Sequence, residues 1–158
     1  MTDPLARQAD TLISAAQIHA VGALSPIASH FKVLQHLDTD HWDFIVTIAA
    51  VFVAAKRLSD LRLEGKRAEA LLKILARRLS EWAPDGLVAL EDCKRLYEHE
   101  FDRLTANGHD PEFVASDAVG IWAVWNLISR EPKTEGEMAL CRAIGVSVTT
   151  GFVGWWSE

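Results

Sequence analysis

The stretch Phe44–Ala55, FIVTIAAVFVAA, decides the fold. Its β-branched, apolar run has the composition of a buried strand. Length argues for a helix instead, because helical spacing continues through KRLSDLRL, residues 56–63. This reading predicts one helix over about residues 39–63, with residues 44–55 apolar nearly all round and a break at Gly65.

The rest of the chain reads the same way. Asp3 and Pro4 open a first helix, with Pro4 at the position where a missing N–H costs nothing, and Gly22 is its stop. Ser25 and Pro26 start a second helix reaching about Leu37. Leu71, Leu72, Leu75 and Leu79 form the apolar stripe of a helix over 66–82. APDG, residues 83–86, is a turn. A helix over 87–106 ends at Asn107-Gly108. Asp110, Pro111 and Glu112 open another that runs to about Ser129. Thr134 and Glu137 have capping-box spacing. The last segment, about 135–155, has Leu140, Ile144, Val148, Phe152 and Trp156 at every fourth residue. That spacing outweighs the strand preference of Val146, Val148, Thr149 and Thr150. The expected fold is all-α: one domain over 1–158, a bundle of six or seven helices without significant sheet.

Composition narrows the function classes. The chain has 158 residues, 24% of them charged, and a net charge of −6. Cys93 and Cys141 lie in no CxxC pair, which excludes a zinc ribbon and a thioredoxin-type motif. They read as buried free thiols. The N-terminus lacks the apolar core of a secretory signal, and the apolar runs near 44–55 and 118–125 are short of a membrane span. The expected location is cytoplasmic, with no membrane partner.

Charge is uneven. Residues 56–78 hold eight Lys or Arg against three acids, and residues 85–112 hold eight acids against three bases. The two helices concerned are expected to lie antiparallel with these charges facing each other. No aromatic residue interleaves the basic run, which argues against a nucleic-acid platform.

Catalytic signatures fail one after another. There is no Glu-x-x-His, no HExxH, no G-x-S-x-G and no glycine-rich phosphate loop. No cofactor motif is found. QHLDTDHWDF, residues 35–44, offers two His and three Asp. One unbroken helix through it would place His36, Asp40 and Asp43 on one face, as metal binding requires, but would bury Asp38. A break at Asp38-Thr39 removes that cost. His36 then ends helix two, Asp38 or Thr39 caps the next helix, and Asp40 and Asp43 favour its dipole. His41 turns inward with Ile45, Ile48 and Phe52, and is neutral. Glu98, His99, Glu100 and Asp102 read as a solvated face. Asp117, among apolar neighbours and seven residues past its presumed cap, is the buried-carboxylate candidate.

Three segments are apolar nearly all round, more than a chain of this size can enclose. The surplus implies a surface for another chain. The expected form is a homodimer through the C-terminal helix, where Gly145, Gly151 and Gly154 allow close approach and Trp155, Trp156, Gly151 and Phe152 are the candidate partner-binding residues. The tryptophans have a competing use, anchoring the helix end to its own core. The leading functional reading is a non-enzymatic interaction or regulatory protein that self-associates, for instance an acidic inhibitor or immunity-type binder of a basic protein. The alternatives are a metal- or carboxylate-dependent helical hydrolase, using the His36–Asp43 region or Asp117, and a sensor of small apolar ligands.

Overall fold

The computed structural model describes residues 3–34, 36–60 and 65–156. Among them lie six helices and no strand: α1 Pro4–Ala28, α2 Thr39–Asp60, α3 Gly65–Trp82, α4 Gly86–Ala106, α5 Val114–Ile128 and α6 Glu135–Phe152. A 3₁₀ turn at Lys32–Leu34 leads into α2. The expected end of α2 at residues 61–63 lies outside the described residues.

Phe44–Ala55 becomes the axis of the bundle. Every residue from Ile45 to Ala54 is buried, and α2 touches all five other helices. That explains a sequence without a polar face: a helix surrounded on every side has no solvent to address. Trp42, fully buried, opens this stretch and donates its indole N–H to the Ala20 carbonyl at 2.8 Å.

α1 corrects the expected pair of helices. It runs unbroken through Gly22 and Pro26 to Ala28. A mid-helix glycine costs about 1 kcal/mol and a proline about 3 kcal/mol. Pro26 lies in the last turn, where only one ladder bond is lost. The buried stripe of Ala9, Leu12, Ile13, Ala16 and Ala20 holds the helix against its neighbours. Helix two is thereby reduced to the Lys32–Leu34 turn. The predicted N-cap is present, with the Leu5 amide donating to Asp3 Oδ1 at 3.0 Å.

α5 also starts later than expected. Asp110 caps a turn, accepting from the Glu112 amide at 3.0 Å, and regular helix begins only at Val114. α5 and α6 approach closely through glycines. A Cβ on Gly120 would lie 1.8 Å from the Cys141 carbonyl oxygen, and one on Gly145 would lie 1.8 Å from that of Ser116. Gly145 therefore serves packing within the chain, contrary to its expected place in a dimer contact.

The Thr134–Glu137 capping box forms as the spacing predicts. Glu137 is buried and accepts from the Lys133 and Thr134 amides, at 2.9 and 3.1 Å, and from Arg130. These donors, Arg130 foremost, lower its pKa from 4.5 to about 2. A carboxylate held below its free value stabilises the fold above pH 4.5 and withdraws that support as pH falls towards 2. Glu137→Gln will flatten the acid limb of stability against pH, measured by urea unfolding between those values.

The two cysteines are free and buried. Burial raises both thiols, Cys141 to about 12, with Asp117 adding to the effect there. Neither will react with Ellman's reagent in the native protein, and both will react after denaturation. Because the unfolded thiols ionise near 9 and the folded ones do not, their contribution to stability is complete below pH 9 and declines above it.

Candidate functional site

Asp117 is 4% exposed and lies in the first turn of α5, not seven residues into a helix. The helix dipole therefore favours its charge. Arg142 of α6 makes a forked contact with it, Nε to Oδ1 at 3.2 Å and a terminal nitrogen to Oδ2 at 2.7 Å. His109 Nε2 donates to the same Oδ2 at 2.7 Å. The Arg142 guanidinium also lies 4.0 Å from the centre of the Phe113 ring. Asp117, mainly through its hydrogen bonds, raises the pKa of Arg142. Asp117 thus joins the α4–α5 connection to α6. Its charge is used inside the protein, which is what a buried carboxylate requires.

Glu100 repeats the pattern and corrects the expected solvated face. Glu98, His99 and Asp102 are exposed, but Glu100 is buried and bound by Arg103 at 2.5 Å. The histidine-aspartate stretch is divided at Asp38-Thr39 as expected, but His36 lies in a turn and not at the end of a second helix. Asp38 caps α2 through the Asp40 amide at 3.0 Å, and His36 and Asp40 are exposed. His41 is half-buried and donates to the Asn126 carbonyl at 2.9 Å. Burial, then the nearby Asp40, raises Asp43. Among the described residues no three His, Cys, Asp or Glu side chains are grouped to hold a metal ion.

The expected charge pairing between α3 and α4 is not seen among the described residues. Arg78 instead reaches Asp10 of α1 at 3.2 Å and Glu81 of its own helix at 3.1 Å, while Arg95 and Arg103 pair within α4. α3 lies against α1 as well as α4, so its cations meet a closer carboxylate there.

The C-terminus folds onto its own core. Phe152 is buried, Trp155 stacks on it with ring centres 5.6 Å apart, and Trp156 donates to the Ala54 carbonyl at 2.9 Å. Gly151 is exposed beside the His19 ring, and Gly154 is exposed.

The outward-facing apolar surface centres on α1. Residues 11–29 contain no Asp, Glu, Lys or Arg, and neither do residues 143–156. These two uncharged segments meet. His19 Nε2 lies 2.9 Å from Ser147 Oγ, and its ring meets Phe152 edge-on. Burial lowers the pKa of His19, keeping it neutral at pH 7. On α6 Val146 is 37% exposed, and on α1 Ile18, one turn before Gly22, is 73% exposed. An open groove of about 480 Å³ runs between the helices, over Gly22, Ala23, Pro26 and Ala143. α1 is also long and apolar enough to cross a membrane by length and composition. The expectation of a C-terminal surface missed this helix. The absence of charge over 11–29 was the available signal.

Fold and surface together define a six-helix bundle with one uncharged face. Comparison with family models, with characterised proteins and with solved structures returns no match.

Proposed function

We propose that this protein works by binding rather than by catalysis, and that it self-associates through the α1–α6 face. The observation that carries this reading is the open groove between two adjoining segments that hold no charge, with exposed Val146 in its lining and exposed Ile18 one turn before Gly22. Exposed apolar surface beside an uncharged groove is typical of an interaction site. A second copy is the occupant that the charge distribution favours. Two chains of net charge −6 repel each other, and this is the face across which they meet without opposing like charges. A twofold axis would pair the face with itself. The pairing of Asp117 with Arg142 and His109 supports a structural use of the carboxylate that sequence singled out.

Ile18→Glu tests the assignment, with Val88→Glu as control, since Val88 is 66% exposed on α4. Both variants will keep the parent melting temperature, because exposed substitutions change stability by about 0.5 kcal/mol or less. Light scattering will show that Ile18→Glu lowers the assembled fraction at least tenfold and Val88→Glu leaves it unchanged. Equal effects of the two variants, or binding to lipid vesicles by a chain that stays monomeric, would overturn the proposal.

A further inference from the structure

On the side of α6 away from α1, a pocket of about 150 Å³ opens among α2, α4, α5 and α6. Phe52, Val53, Val119 and Val153 supply apolar walls. Two residues of the same lining each carry a buried polar atom without a hydrogen-bond partner among the described residues, Arg57 Nε and Thr149 Oγ1. Leaving a polar group buried and unpaired costs about 1–3 kcal/mol. Native structures retain few such groups, and here two belong to residues that line one cavity. Lys56 and Tyr97 complete the polar part of the lining.

We propose that this pocket binds a small apolar monocarboxylate, with its carboxylate held between Arg57 and Thr149 and its hydrocarbon body against Phe52, Val53, Val119 and Val153. The chemistry of the two ends selects the class. Arg57 offers a cationic N–H and Thr149 an O–H, so each carboxylate oxygen can receive one hydrogen bond. The walls favour carbon over further hydroxyls, as ligand pockets with a few convergent polar groups do. Size sets the limit, since about 150 Å³ is the volume of an apolar cavity that admits benzene. Benzoate and hexanoate match that volume. This inference does not depend on self-association, because the pocket and the α1–α6 face are lined by different residues.

The test is calorimetric titration of the full chain with benzoate and hexanoate, with benzyl alcohol and hexanol as uncharged controls. Saturable binding of an acid with a Kd of about 1 mM or tighter is expected. The matching alcohol, Arg57→Gln and Thr149→Val should each weaken it at least tenfold. Amide NMR shifts should concentrate at Val119, Thr149 and Val153. Thr149→Val keeps side-chain shape and so decides the matter even if Arg57→Gln fails to fold. Absence of saturation at about 10 mM overturns the proposal. So does equal binding of acid and alcohol, or unchanged affinity in Thr149→Val.

Discussion

Gly120→Ala and Gly145→Ala will each destabilise the protein by about 3 kcal/mol or more, at the upper end of overpacking effects. The added methyl meets backbone in both cases: the Cys141 carbonyl oxygen at 1.8 Å and the Ser116 carbonyl oxygen at 1.8 Å. A flexible side chain would move aside, but a carbonyl inside a helix moves only with the whole helix. Separating α5 from α6 would also loosen the Asp117–Arg142 contact, which spans the same interface. Gly136→Ala is the matched control, because a Cβ there meets nothing within 4 Å. It should be neutral or stabilising by up to about 1 kcal/mol. Urea midpoints for the three variants check this. Tolerance of alanine at 120 and 145 would mean that the two helices do not approach as described.

Trp42→Ala carries the second large effect, about 3–5 kcal/mol. The side chain is fully buried, and its N–H bond to the Ala20 carbonyl ties α2 to α1 two residues before Gly22. Trp42→Phe keeps most of the apolar volume and loses the hydrogen bond, so about 1–2 kcal/mol is expected. Thermal unfolding followed by circular dichroism separates the two. Equal losses would show that the hydrogen bond, not the volume, matters at this position.

Helical periodicity and capping chemistry made most of the fold legible. Thr134 and Glu137 are three residues apart, so their reciprocal bonds are a local property of the chain. Length resolved Phe44–Ala55 as a helix, but its all-round apolarity was shared with two other segments and did not mark it as the axis. What the sequence concealed was tertiary. Gly22 and Pro26 carry stop signals that the helix runs through, and nothing local reveals the Trp42 contact with Ala20 just before them. Asp117 was visible as a carboxylate among apolar residues. Its partners His109 and Arg142 lie 8 and 25 residues away, and only the arrangement of α5 and α6 brings them to it. The α1–α6 face was hidden for the same reason. Each uncharged segment has the composition of core, and their exposure follows only from which helices surround α2.

Sedimentation equilibrium of the unmodified chain at neutral pH tests the proposed self-association most directly. The prediction is a mass of twice the 17.5 kDa of one chain, reached at concentrations of about 100 µM or below. A mass of 17.5 kDa throughout that range would contradict it and leave the α1–α6 face without the partner proposed for it.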